Sequence, residues 1–193
     1  FSSSGNGVSQ PKKIKHSNTP VIEKIRSPIR FPGSKLQAIK FIAPFWESIK
    51  HDEYREPFLG GGAVFFAKPL LKVNWINDID IEIINLYKIM ADTSQRPELI
   101  KRVQKFIPNK DNFNKLRETN PKSEMGRAYK YFVINRTAYS GIMNKPNWGY
   151  DNKKSVPPKR WGERIQNAGQ KLNFAKITNY HFREIILQKS KHP

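Results

Sequence analysis

Glu56-Pro57-Phe58-Leu59-Gly60-Gly61-Gly62 is the stretch on which the reading of this chain turns. Tyr54 to Phe58 reads as a short strand, Gly60 to Gly62 as a loop, and Ala63 to Leu71 as a helix that Pro69 shortens. Lys72 to Ile76 is a second strand, ending at Asn77-Asp78, and Ile81 to Met90 is a strongly apolar helix. This β-α-β-α order opens a doubly wound sheet. Glycines between strand and helix let a ligand approach the backbone, because no Cβ stands in the way. The helix N-terminus beyond them favours negative or electron-rich groups. An acid at the end of the next strand, here Asp78, can accept hydrogen bonds from both hydroxyls of a ribose.

The details narrow the nucleoside. A dinucleotide fingerprint needs a third glycine, and Phe65 stands in its place. A phosphate-gripping P-loop needs Gly-Lys-Ser/Thr after the glycines, and none follows. The remaining candidate cofactor is S-adenosylmethionine, which carries no phosphate. Nicotinamide oxidoreduction is therefore a poor competitor.

Working outward, the chain has 193 residues, of which 37% are hydrophobic and 12% aromatic, enough to fill a core. Lys and Arg number 35 against 16 Asp and Glu, a formal net charge of +19. Solubility alone does not require such a charge, so a polyanionic partner is expected. The absence of cysteine removes disulfides, zinc-thiolate sites and thiol nucleophiles. No metal site is expected. No apolar run approaches the roughly 20 residues that span a bilayer. A cytoplasmic, nucleoid-associated protein fits these features. The start at Phe1 and the end at Lys189-Ser190-Lys191-His192-Pro193 read as those of a processed, split or truncated piece.

Residues 1–27 read as a flexible lead-in, with a short strand at Val21 to Ile25. Pro32-Gly33 marks a turn and Ser34 caps a helix from Leu36 to Ile49, with Ile39, Ile42, Phe45 and Trp46 at helical steps. Residues 28–93 form the cofactor-binding part. Residues 94–172 form an insertion, with helices at Arg96 to Phe106, Asn112 to Glu118, Glu124 to Tyr139 and Trp161 to Leu172. Gly141 to Pro158 reads as a β-hairpin or long loop. Residues 173–193 return to the first part, with a strand at Lys176 to Asn179 and a helix at Phe182 to Leu187.

Four segments in order then resemble the Dam-like, D12-class DNA adenine-N6 methyltransferases. They are Arg30-Phe31-Pro32-Gly33-Ser34-Lys35, Glu56 to Phe65, Asn77-Asp78-Ile79-Asp80, and Asn135-Arg136-Thr137-Ala138-Tyr139-Ser140-Gly141-Ile142. The likeness covers about Ile29 to the end. It implies an α/β, Rossmann-like S-adenosylmethionine-dependent methyltransferase fold with a partial sheet. It further implies an inserted, mostly helical DNA-recognition domain carrying a β-hairpin at 142–158. Phe31, Lys35, Glu56, Phe58, Gly60, Gly62 and Asp78 would line the cofactor. Arg30 would lie near the DNA backbone or target base, and Asn135, Arg136 and Tyr139 would brace the recognition element at the DNA. Asn144, Lys145, Asn147, Asn152, Lys153 and Lys154 are base-edge or phosphate ligands by type, and Lys159, Arg160 and Arg164 extend the positive face. Double-stranded DNA is the implied partner.

The implied chemistry asks for one more element. Adenine N6 is a poor nucleophile, so its amine needs acceptors once the base leaves the stack. The family supplies them with Asp/Asn-Pro-Pro-Tyr. The one Pro-Pro here is Pro157-Pro158, between Val156 and Lys159, with neither the acceptor nor the aromatic. No catalytic residue is therefore assigned, and a second chain could supply the motif. The alternatives are a non-catalytic subunit that binds S-adenosylmethionine or DNA, and an RNA adenine methyltransferase, which the hairpin disfavours.

Overall fold

The computed structural model describes residues 25–190. At its centre lies a three-stranded parallel sheet in the order β1-β2-β3. The strands are β1 (Glu53–Glu56), β2 (Val73–Asn77) and β3 (Lys176–Thr178). Glu56 sits opposite Ile76, and Asn77 opposite Thr178, so all three strands end at one rim of the sheet. The helix α2 (Ala63–Ala67) connects β1 to β2 and stops just before Pro69.

Between β2 and β3 the chain builds α3 (Ile81–Ala91), α4 (Arg96–Gln104), α5 (Lys110–Glu118), α6 (Glu124–Thr137) and α7 (Trp161–Leu172). α3 starts where Asp80 accepts from the amides of Glu82 at 2.8 Å and Ile83 at 3.3 Å. It is buried on nearly every side through Ile83, Ile84, Leu86, Tyr87, Ile89 and Met90. At its far end Arg96 Nε donates to the Met90 carbonyl at 2.6 Å, which satisfies one of the carbonyls a helix end leaves open. α7 buries Trp161, Ile165, Ala168 and Leu172, one stripe at helical spacing. Strand β3 and α8 (Phe182–Leu187) then return to the sheet. This mixed α/β architecture, with a small parallel sheet, is the class expected of a methyltransferase fold.

Several local expectations change. Residues 1–24 of the expected lead-in, with most of the Val21–Ile25 strand, lie outside the described residues. Residues 25–27 are part of the fold: Ile25 packs on the main core, and the Ser27 hydroxyl sits between the carbonyls of Ile29 and Gly61. The helix expected from Leu36 is a 3-10 turn (Lys35–Ala38) followed by α1 (Ile39–Glu47). α1 buries none of its residues fully, and Phe45 is exposed. α6 ends at Thr137 because Ala138 is extended and Ser140 takes a left-handed φ of 51°.

The hairpin at 142–158 is not present. A single antiparallel bridge joins Ala138 to Trp148, through Tyr139 N–H to Asn147 O (2.8 Å) and Gly149 N–H to Thr137 O (2.9 Å). Pro146, Pro157 and Pro158 have no N–H to give a ladder, and Lys145 is left-handed at φ 51°. Residues 142–146 are a loop closed by that bridge. Residues 151–155 form a turn around Asp151, whose carbonyl accepts from Lys154 and Ser155.

Candidate cofactor and nucleic-acid site

The loops after the three strands meet at one rim, where ligands of open parallel sheets bind. Asn77, fully buried, locks them together. Its Nδ2 donates to Pro57 O at 3.1 Å and Tyr180 O at 2.9 Å, and its Oδ1 accepts from Tyr180 N at 2.8 Å. The Thr178 hydroxyl donates to the same oxygen at 2.8 Å and itself accepts from Trp75 Nε1 at 2.8 Å. The Leu59 amide rests on the Asn77 carbonyl at 2.9 Å. The glycine loop is thus hung directly from the end of β2.

Gly60 and Gly62 are both left-handed, at φ 48° and 66°, and Gly62 opens α2. A Cβ at Gly62 would lie 2.9 Å from the Phe66 ring, and one at Gly61 would lie 2.8 Å from the Phe31 Cβ. Asp78 bridges the two loops: its Oδ2 accepts from Gly60 N at 2.7 Å and its Oδ1 from Asp80 N at 3.0 Å. These two bonds fix the carboxylate and leave each oxygen a lone pair for another donor. Tyr87 donates to Gly60 O at 3.3 Å from beneath.

Glu56 lies under the same loop. Its Oε2 accepts from Tyr54 Oη at 2.7 Å and from the Phe65 amide, in the first turn of α2, at 3.2 Å. Burial pushes this carboxyl up to about 7; the hydrogen bonds from Tyr54 and Phe65 oppose the rise, and the charge of Asp78 adds to it. Two carboxyls beside one glycine loop make an anionic cradle. It suits a cofactor with a positive sulfonium and ammonium and does not suit a pyrophosphate.

The other residues expected at the cofactor divide. Phe31 covers the loop, its ring edge at 2.9 Å from where a Gly60 Cβ would be. Phe58 is mostly exposed and packs against Phe182, ring centroids 5.2 Å apart. Lys35 is exposed and donates to Gly33 O at 3.0 Å.

The residues expected at DNA divide more sharply. Asn135 is fully buried and cannot reach a nucleic acid: its side chain exchanges hydrogen bonds with the Arg30 backbone, at 2.9 Å to the amide and 2.7 Å to the carbonyl. Arg30 in turn donates through Nη2 to the carbonyls of Asn135 (3.1 Å), Arg136 (2.6 Å) and Ala138 (2.9 Å), closing the end of α6. Asn135 thus ties the end of α6 to Arg30 from inside the fold. Arg136 is 8% exposed. Tyr139, Asn144, Lys145, Asn147, Lys153, Lys154 and Arg160 are all exposed, along the run between α6 and α7.

Sequence reading misses Tyr54, Asn77, Tyr87 and Ser27. Tyr54 carries a signal, since residues two apart on a strand share a face and Tyr54 precedes Glu56 by two. Asn77 stands next to Asp78 in a motif, and nothing in the spacing gives it a role of its own.

A cavity of about 450 Å³ opens beside the Asp78–Asp80 turn, walled by Asp80, Glu82, Arg127, Tyr131, Ile134 and Met143. Burial raises the Tyr131 phenol above its usual range, and the charges of Asp80 and Asp78 add to the effect, so this wall faces the acidic turn. The size is that of a small-molecule pocket.

The chain is thus a parallel-sheet α/β protein with two carboxyls beside its glycine loop and a basic exposed run between two helices. Residues 31–193 match the D12 class N6 adenine-specific DNA methyltransferases, and the chain belongs to that family. It is 30% identical over 159 residues to a type II methyltransferase of Lactococcus lactis subsp. cremoris, covering 75% of this chain and 54% of that protein. It is also 30% identical over 151 residues to a type II methyltransferase of Methanocaldococcus jannaschii, covering 65% of this chain and 50% of that protein. The chain spans about half the length of these relatives.

Proposed function

We propose that this chain holds S-adenosylmethionine and faces duplex DNA, as the cofactor-bearing part of an adenine-N6 methyltransferase. The observation that carries the reading is Asp78, fixed at the end of β2 by Gly60 N at 2.7 Å with acceptor capacity left for a ribose. Glu56 below the loop favours the positive methionine end, and Phe31 and Phe58 offer ring faces at its edge. The inserted helices and the exposed Tyr139–Arg160 run serve as the DNA-recognition part.

When bound, with Asp78 at its ribose and Glu56 below its methionine end, the cofactor would supply an electrophilic methyl group for an adenine amine. The sequence contains no acceptor-Pro-Pro-aromatic run to receive that amine.

Calorimetric titration with S-adenosylmethionine tests the first claim. Saturable binding is expected, with NAD giving none. Asp78→Asn, which keeps one acceptor but loses the charge, should weaken it at least about tenfold, the size of one hydrogen bond to a charged group. No saturable binding, or an Asp78→Asn protein that binds equally well, would sink the reading. Transfer of labelled methyl to duplex DNA by this chain alone should be weak or undetectable. Robust transfer would show that the catalytic acceptors are present in another guise.

A further inference from the structure

Glu56 holds a carboxyl without a counter-charge beneath the glycine loop. Its Oε2 takes both of its hydrogen bonds, from the Tyr54 hydroxyl at 2.7 Å and the Phe65 amide at 3.2 Å. Its Oε1 makes no hydrogen bond among the described residues, and the carboxyl enters no ion pair there. The charge that acts on it from across the loop is Asp78, itself negative. The elements packed around it offer no cation in return. Strand β1 gives Tyr54, α2 gives the Phe65 amide, and α3 gives Tyr87, which feels both Glu56 and Asp78. Lys68, just past α2, holds its ammonium against His51 at 2.6 Å and stands 5.6 Å from the centre of the Tyr54 ring.

A carboxyl in that setting can be answered in two ways, by a proton or by a positive ligand. With burial raising it to about 7, Glu56 stands between its two forms at neutral pH. In S-adenosylmethionine the ammonium and carboxylate of the amino-acid end cancel, so the net charge is that of the sulfonium. The sulfur is one carbon away from the ribose. A ribose seated on Asp78 therefore brings the net charge to the side of the loop where both carboxyls lie. Loss of the methyl group leaves a thioether and no net charge. An opposite charge within ~4–6 Å favours the ionised carboxyl by about 1–3 pH units.

We infer that Glu56, with Asp78 across the loop and Tyr54 holding it, distinguishes S-adenosylmethionine from the spent thioether, S-adenosylhomocysteine, by exchanging its proton for the sulfonium. The inference rests on the S-adenosylmethionine reading above. Glu56 gives its proton to solvent when the sulfonium form is bound. Once the sulfur is neutral, the carboxyl takes a proton back from solvent, and the cradle no longer holds the thioether by charge. Tyr54 is the positioning residue. Burial and the Glu56 charge raise its phenol above the usual range, so it remains a hydrogen-bond donor to the carboxylate.

Calorimetric titrations of the full chain in MES and in imidazole, buffers of different ionisation enthalpy, count the protons. At pH 6, S-adenosylmethionine should release about 0.8 of a proton and S-adenosylhomocysteine about none. The ionised carboxyl is the form that favours the sulfonium, and it gains as pH rises. The ratio of the two affinities, S-adenosylmethionine over S-adenosylhomocysteine, should therefore grow about five- to tenfold from pH 6 to pH 8. In Glu56→Gln the proton release should vanish and the growth of the ratio with it. At pH 8 the variant's ratio should be lower than wild type by at least about tenfold. Titration of the ligands' own amines is common to both proteins and cancels in the comparison.

Tyr54→Phe keeps the ring and loses the donor, which makes Glu56 harder to ionise. The pH at which the ratio grows should move up by about one unit, and this keeps the test open if Glu56→Gln disturbs the loop. A Glu56→Gln protein that binds both ligands more weakly by the same factor at every pH would reduce Glu56 to a structural role and overturn the inference. Equal proton release with both ligands would overturn it as well, by placing the ammonium at Glu56. Tight binding of S-adenosylmethionine with no proton released would overturn it and leave the cofactor reading standing. No binding of S-adenosylmethionine at any pH would remove both.

Discussion

Neutralising Glu56 should flatten the dependence of stability on pH. Burial holds this carboxyl at about 7 in the fold, against an ordinary 4.5 in an open chain. A raised folded value means the native state keeps its proton longer. The stabilisation is complete below about 4.5 and is lost as pH rises through 7. At pH 8 the open chain has shed this proton freely, while the fold has shed it only against the cost of burying the charge. That difference amounts to about 3 kcal/mol of lost stability. For a chain of this length it corresponds to roughly 6–12 °C in melting temperature. Glu56→Gln keeps an acceptor for the Phe65 amide and the Tyr54 hydroxyl but has no proton to lose. The assay is thermal unfolding followed by circular dichroism at pH 5, 6, 7 and 8, wild type against Glu56→Gln. The two proteins should differ most at pH 8, with the variant more stable, and converge toward pH 5. Self-repulsion from the net charge of +19 acts on both and cancels in the difference. Parallel profiles across this range would refute the claim that Glu56 is buried without a matching cation.

Gly62→Ala should destabilise by about 1–3 kcal/mol in chemical denaturation, because φ is 66° and the new Cβ meets the Phe66 ring at 2.9 Å. Gly33→Ala, also left-handed but with nothing within 4 Å, should cost about 1–2 kcal/mol from backbone strain alone. Asn77→Leu removes both donors and both acceptances of a fully buried side chain. About 3–5 kcal/mol should be lost, and equal stability would show that the strand-end lock is not structural.

The parts of this fold that are legible in the sequence share one property: their signal is local. α7 and α8 lie at the expected residues because an apolar stripe is written within the first and a capping box within the second. The glycine loop is legible because left-handed geometry restricts the residue type. α1 departs from expectation in its details because its apolar spacing says nothing about whether a neighbour exists to cover Phe45. The hairpin fails because Gly, Asn, Asp and Trp suit any turn-rich segment, while the prolines among them forbid a ladder. The lock between Arg30 and Asn135 spans 105 positions, and no spacing rule announces such a pairing. In the candidate site, Asp78 and the glycines are legible as neighbours, since both follow strand ends. That Glu56 is held by Tyr54 and Phe65, and its proton with it, depends on how deeply the rim is buried.

Asn77 also orders events in time. Two of its partners, Pro57 and the β1 loop, precede it closely in the chain; the others, Thr178 and Tyr180, lie 101 and 103 positions later. During synthesis the five helices between can settle on one another through nearby contacts, which form fast. The platform under the glycine loop cannot close until β3 has been made and has travelled back across that distance. The cradle consequently closes only after β3 has docked, although most of its residues are made early. A ligand that needs the closed cradle selects chains whose β3 segment has already docked, so occupancy of the site reports that docking.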